Sequence, residues 1–186
     1  MRLVLASASP RRAELLASAG FQFRVEPVEI DERPRAGEDP VALVERLSAE
    51  KAARVAQLHP GAVVLGADTV VVAAGSIMGK PIDDRDAAGM LERLSGRSHE
   101  VLTGVAVEAD ARHLAAVERT TVHFLPLSPA EIEWYVGSGE PRDKAGAYAV
   151  QGLASRFVAR IEGSYSNVVG LPLARVYQLL KAIGAL

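Results

Sequence analysis

The apolar positions of this 186-residue chain fall into short runs that alternate with stretches of helical spacing. Leu3 to Ala6 is a short apolar run and reads as a buried strand. Ser9-Pro10 then opens a helix, with Ser as N-cap and Pro at the first helical position. Leu15, Leu16 and Ala19 give it a core face, and Gly20 ends it. Residues 25 to 39 are polar, contain Pro27, Pro34 and Gly37, and read as a loop. Asp39-Pro40 starts a second helix that runs to about Leu58 and is ended by Pro60-Gly61. Val63 to Ala74 is a Val-rich strand with Gly66-Ala67-Asp68-Thr69 in its middle, and Gly75-Ser76 turns the chain towards Gly79-Lys80-Pro81.

Asp83-Asp84 caps a third helix, which carries Met90, Leu91 and Leu94 and ends at Gly96. Val101 to Glu108 and Leu114 to Leu125 alternate as strands and predict a hairpin. Ser128-Pro129-Ala130-Glu131 is a capping box before a helix through Val136. Residues 137 to 155 are Gly-rich and are expected to wrap a site; Phe157 to Ile161 is a strand. Leu171-Pro172 opens a final amphipathic helix with Leu173, Val176, Leu180 and Ile183. Because strands follow strands in the middle of the chain, the expectation is a single α/β domain over residues 1–186. Its sheet should be mixed, twisted and flanked by helices rather than cleanly doubly wound.

Composition changes this picture little. The chain is 49% hydrophobic and 24% charged, with a net charge of -2, so nothing suggests a broad nucleic-acid or membrane-binding surface. Its lack of cysteine removes disulfides, thiolate zinc sites and a cysteine nucleophile. The most apolar stretch, Ala62 to Ala74, is too short to span a bilayer and is interrupted by Asp68. Arg2, a short apolar run and Ala6-Ser7-Ala8 faintly resemble a signal peptide. The run is shorter than the roughly 7–15 residues an h-region needs, so a cytoplasmic protein is expected.

Three places break the local rules, and such places tend to be functional. Arg11-Arg12 put two cations in the first turn of the first helix, where the dipole favours acids. An anion such as a triphosphate would reconcile them, with Ser7 and Ser9 adding hydroxyls; two solvated arginines are the plain alternative. Lys51 interrupts the stripe Val44, Leu47, Lys51, Val55, Leu58 of the second helix. It either snorkels to the edge of the core or projects a cation into a cleft between helix and sheet. Asp68 lies between Val63-Val64-Leu65 and Val70-Val71-Val72, where an unpaired carboxylate is costly, so a partner, a metal, a raised pKa or a turn-capping role is required. Asp31-Glu32 sits in a polar loop, and Glu32 gains a role only if it meets Asp68 around a cation. Lys80 stands on the Gly79-Lys80-Pro81 turn. There is no GxxxxGK[ST] run and no GxGxxG. The four histidines, at 59, 99, 113 and 123, show no metal-ligand spacing; His59 and His99 read as surface residues. Cations with a few carboxylates suit phosphoryl chemistry with a divalent metal.

These residues also carry a resemblance. The stretch from Leu5 to Leu16, LASASPRRAELL, resembles the opening motif of the Maf family. So do Asp31-Glu32, the Lys51 helix, Gly66 to Val71 (GADTVV) and Gly79-Lys80-Pro81. Asp143 to Gly152 (DKAGAYAVQG) and Ile161 to Pro172 (IEGSYSNVVGLP) continue the match, in order, across nearly the whole chain. The resemblance implies a Maf/ITPase-like α/β fold of two lobes around a nucleotide cleft, often a homodimer. It implies pyrophosphatase activity on nucleoside triphosphates with Mg²⁺ or Mn²⁺. The position of Asp68 matches the family's proton acceptor, and those of Arg11, Thr69 and Gln151 match positions associated with base choice. Tyr148 to Gly152 resembles the dTTP/UTP branch, the 7-methyl-GTP branch tending to lack this Gln. Family members have also been linked to inhibition of septum formation.

Together these readings lay a triphosphate over the first helix, held by Ser7, Arg11, Arg12, Lys51 and Lys80. Glu32 and Asp68 hold the metal, and Thr69 and Gln151 read the pyrimidine edge. Rival expectations are 7-methyl-GTP as substrate, a non-catalytic nucleotide sensor in cell division, and an aspartyl-phosphate phosphatase. The last is disfavoured because Val70 stands where that class usually has a second Asp.

Overall fold

The computed structural model describes residues 2–110 and 112–186. Strands β1 (Leu3–Ala6), β2 (Phe23–Val25), β3 (Val63–Ala73), β4 (Ser76–Met78), β5 (Ser98–Ala109), β6 (Arg112–Phe124) and β7 (Val158–Glu162) share one sheet. Its order is β2-β1-β3-β5-β6-β7, with β4 added to the far part of β3. β1 runs parallel to both β2 and β3, whereas β3–β4 and β6–β7 are antiparallel, so the sheet is mixed as expected. The helices are α1 (Pro10–Ser18), α2 (Pro40–Ala56), α3 (Asp84–Leu94), α4 (Pro129–Gly137), α5 (Tyr165–Val169) and α6 (Leu173–Ala182). Among the described residues, no helix is long and apolar enough to cross a membrane.

The chain divides into two compact units. The first takes the chain up to Thr69, then Thr103–Glu118 and Gly170–Leu186; the second holds Val70–Leu102 and Arg119–Val169. In the first unit the period-two alternation of the strands divides the core. Leu5, Val63, Leu65 and Ala67 face one way and pack with Leu16 of α1 and Val176 and Leu180 of α6. Val4, Ala6 and Val64 face the other way and pack with Ala52 and Val55 of α2. The approach of α2 is close: a Cβ built on Gly66 would collide with the backbone oxygen of Ser48 and lie 2.8 Å from the amide nitrogen of Ala52. Only glycine lets the helix sit this near the strand.

In the second unit, Asp83 caps α3 by accepting the Asp86 N–H, and Ser128 and Glu131 form the full capping box at α4. Ala74 and Gly75 both take positive φ (49° and 76°), making the tight turn that pairs β4 back onto β3. Residues 145–147 form a 3-10 turn within the Gly-rich stretch and residues 153–157 form another that runs past its end; the stretch contains no strand.

Several expectations need correction. β2, β4 and α5 were not anticipated; each is only three to five residues long, too short to show a period. The turn-capping alternative for Asp68 falls, because the expected strand forms as β3 and runs through Gly66-Ala67-Asp68-Thr69 without interruption. Ser9 occupies the N-cap position of α1, but its hydroxyl makes no capping bond; its own N–H instead donates to Ser7 Oγ at 3.1 Å. Leu58 lies past the end of α2 and is exposed. His99 is not on the surface: it is 3% exposed, since strand alternation turns it inward between Ser98 and Glu100.

Candidate functional site

β3 organises the site through the same alternation. Asp68 follows Val64 and Gly66 on the α2 face, while Thr69 follows Leu65 and Ala67 on the opposite face. On the α2 face, Lys51 is buried at 6% exposure, one turn before Val55 on the inward stripe of its helix. It does not snorkel. Its Nζ stands 2.6 Å from Asp68 Oδ1 and 2.6 Å from Glu32 Oε1. Asp68 is itself 8% exposed, so its carboxylate is matched by a cation where water is scarce. Glu32 and Asp68 thus do meet around a cation, the ammonium group of Lys51.

The loop that delivers Glu32 is strapped to the same helix. Arg46 Nε and Nη2 donate to Glu38 Oε1 and Oε2 at 2.6 and 2.8 Å, and Nη2 also donates to the Arg33 carbonyl at 3.2 Å. These bonds to Arg46 come first among the causes that hold the Glu38 carboxyl down at about 2. Arg33 directly follows Glu32, so this clamp fixes the backbone next to the site carboxylate.

On the other face, the two arginines of α1 separate in role. Arg12 turns inward and uses four N–H groups on protein acceptors: Nε to Gly170 O (2.9 Å), Nη1 to Ala67 O (2.8 Å) and Ser7 Oγ (3.2 Å), and Nη2 to Thr69 Oγ1 (3.1 Å). Burial lowers its pKa, partly offset by the charge of Asp68, so the guanidinium lies within electrostatic reach of that carboxylate. Arg12 therefore ties the β1–α1 loop to β3 and to the turn before α6. Arg11 is half-buried in the first turn of the helix, and no such set of bonds fixes it. Thr69 Oγ1 also meets Thr103 Oγ1 at 2.9 Å and reaches Gly170 O at 3.4 Å, so its hydroxyl is engaged on every side.

The first unit thus brings together Ser7, Arg12, Glu32, Lys51, Asp68 and Thr69, with Arg11 on the adjoining helical turn. Lys80 and Gln151 belong to the second unit, and both are exposed. Lys80 follows Gly79, whose carbonyl accepts the Gly146 N–H at 3.0 Å, so its turn is tied to the DKAGAY stretch. Sequence reasoning missed Thr103, the fully buried partner of Thr69; its signal was a lone hydroxyl in the apolar run Val101 to Val107.

Glu32 and Asp68 supply hard oxygen donors of the kind Mg²⁺ and Mn²⁺ accept, and such ions commonly use one or two carboxylates together with substrate phosphates. Among the described residues no third His, Cys, Asp or Glu joins them. The donor chemistry fits a divalent ion completed by phosphate and water, with Lys51 sharing the two carboxylates.

The chain is 54% identical to the dTTP/UTP pyrophosphatase of Symbiobacterium thermophilum over 98% of this chain and 94% of that one. It is 55% identical to the dTTP/UTP pyrophosphatase of Geobacter sulfurreducens over 100% of this chain and 98% of that one. Among solved structures, a HAM1 protein from Coxiella burnetii superposes with a TM-score of 0.55 at 17% identity, covering 100% of both chains. The Staphylococcus aureus Ham1 protein gives 0.50 at 10% identity, over 84% of this chain and 91% of that one. At these identities the two structures speak for the fold alone. A Maf-like protein model matches residues 2–183, and the chain belongs to that family.

Proposed function

We propose that this protein is a nucleoside triphosphate pyrophosphatase that hydrolyses dTTP and UTP to the nucleoside monophosphate and pyrophosphate. The observation that carries the reading is the buried Lys51 ammonium held between Asp68 and Glu32, in a chain more than half identical to curated dTTP/UTP pyrophosphatases. A buried cation flanked by two carboxylates is a place where a triphosphate and a water can be handled together.

In this reading Asp68 takes a proton from the attacking water. Its Oδ1 is engaged by Lys51, leaving Oδ2 for the water. The oxygen of that water forms a bond to the α-phosphorus, the bond from α-phosphorus to the bridging oxygen breaks, and pyrophosphate leaves with the electron pair. Lys51 balances the charge that develops, and Arg11 and Lys80 serve as cations towards the phosphates. Arg12 contributes mainly by holding Ser7 and the loop before α1 in place, because most of its donors are engaged. Thr69 likewise acts on base choice through the Arg12 network, and Gln151 offers an amide donor and acceptor to a pyrimidine edge. A Mg²⁺ or Mn²⁺ ion held by Glu32 and Asp68 would supply charge neutralisation at the phosphates. The same reading includes a homodimer, supported by motif resemblance alone, and keeps the expectation of a cytoplasmic setting.

Product identification tests the reaction class. Phosphorus NMR of a UTP digest is expected to show UMP and pyrophosphate as first products, with turnover lost in Asp68→Asn. UDP and inorganic phosphate, or near-wild-type turnover in that variant, would overturn the assignment.

A further inference from the structure

The stretch that carries Gln151 is held in an unusual way. Residues 146–150 are all buried, whereas Gln151 is exposed. The backbone on both sides of it is anchored by side chains from outside the stretch. Tyr135, fully buried on α4, accepts the Ala149 N–H on its hydroxyl at 3.1 Å and donates the same hydroxyl to Glu140 Oε1 at 2.8 Å. Glu140 in turn accepts the Leu153 N–H on Oε2 at 2.9 Å and the Ala154 N–H on Oε1 at 3.3 Å. One carboxylate and one phenol thereby secure three backbone amides, one before Gln151 and two after it. Tyr148 is fixed as well, its hydroxyl 2.8 Å from His99 Nε2 and its ring edge-on to Phe124.

Gly152 completes the fit. A Cβ there would run into the Glu140 carboxylate, so the chain passes against that group at a distance only glycine allows. All of these groups belong to the second unit. A carboxylate that accepts three bonds in fixed directions is a far more specific anchor than general packing. Nothing in the hydrolysis itself uses Tyr135 or Glu140.

The geometry points to Glu140 and Tyr135 as positioning residues for base selectivity: together they fix the backbone that presents the Gln151 amide. This inference rests on the reading of the protein as a pyrimidine nucleotide pyrophosphatase with Gln151 at the base. An amide can distinguish uracil from cytosine only if its oxygen and nitrogen are held in one orientation, because the two bases present opposite patterns at N3 and the exocyclic position. Releasing the backbone lets the amide turn and meet either base. Discrimination should therefore fall more than the rate with the preferred substrate.

The test compares the full-length protein with Glu140→Gln, which keeps shape but places an NH₂ among donors, and with Tyr135→Phe, which removes a single hydroxyl. Steady-state kcat and KM are measured for UTP and CTP, and hydrogen exchange is followed at the amides of Ala149, Leu153 and Ala154. The expected result is at least a tenfold drop in the UTP-to-CTP ratio of kcat/KM, with kcat for UTP within about threefold of wild type and faster exchange at those amides. Faster exchange with an unchanged ratio would reduce the pair to a structural brace and overturn the proposal. Unchanged exchange in both variants would overturn it too. A wild-type protein with no preference between UTP and CTP would instead defeat the dTTP/UTP selectivity, with Gln151 at the base, on which the proposal stands.

Discussion

Lys51 Nζ lies 2.6 Å from Asp68 Oδ1 and 2.6 Å from Glu32 Oε1, but the two carboxylates are not equivalent. The Asp68 side chain is 12% exposed, whereas that of Glu32 is 52% exposed. If Lys51 is removed, Glu32 can rehydrate and Asp68 cannot. Breaking a buried pair from one side costs about 3–5 kcal/mol because the remaining charge is stranded. Lys51→Met should therefore lose about 3 kcal/mol of unfolding free energy, and Asp68→Asn about 1, since Lys51 keeps Glu32. Urea denaturation of the two variants checks this, and equal losses would contradict the asymmetry.

The pair Arg11 and Arg12 should divide in the same way. Arg12→Met leaves the carbonyls of Ala67 and Gly170 and the hydroxyls of Ser7 and Thr69 without their donor, and should destabilise by about 3 kcal/mol. Arg11→Met should stay within about 0.5 kcal/mol of wild type while raising KM for the triphosphate. Thermal melts and steady-state kinetics on both variants separate the structural arginine from the binding one.

Gly66→Ala tests how α2 is seated. The added methyl would meet the backbone of α2 at Ser48 and Ala52, which cannot swing aside as a side chain can. Overpacking of this kind costs about 1–3 kcal/mol. Because Lys51 rides on the same helix, activity should fall as well, although Gly66 performs no chemistry. A variant with wild-type stability and turnover would show that the helix has room to move.

His99 sets an acid limit on the fold. Burial pushes its pKa down to about 4 from the ordinary 6.5, with His123 adding a smaller effect. The unfolded chain therefore takes up a proton near 6.5 that the folded chain refuses until about 4, so stability is lost as pH falls through that window. The full effect is on the order of 3 kcal/mol. Urea midpoints measured from pH 7 to pH 4.5 should fall more steeply for wild type than for His99→Asn, and parallel profiles would contradict the assignment.

Much of the site was legible because its residues break patterns. Lys51 interrupts an apolar helical stripe and Asp68 an apolar strand, and the structure pairs them. The caps at Asp39, Asp83 and Ser128 were equally readable, since each combines a short polar side chain with a helix-compatible stretch after it. What the pattern did not reveal was direction. Arg11 and Arg12 differ by one helical position, about 100° of rotation, and only the tertiary partners at Ala67 and Gly170 decide which turns inward. His99 seemed external because its neighbours are Ser98 and Glu100. Extending the β5 alternation two residues back from Val101 would have placed it inside. The anchoring of Gln151 by Tyr135 and Glu140 depends on contacts 11 to 16 positions away, with no local periodicity to betray it.

Hydrolysis of dTTP and UTP to monophosphate and pyrophosphate is the proposed reaction on which every residue role above depends. The most direct measurement is pyrophosphate release from dTTP, UTP, CTP, GTP and 7-methyl-GTP with Mg²⁺ or Mn²⁺. Selective turnover of dTTP and UTP is the predicted result. Turnover of 7-methyl-GTP alone would contradict the base assignment, and nucleotide-induced stabilisation without pyrophosphate release from any of the five would contradict the reaction itself.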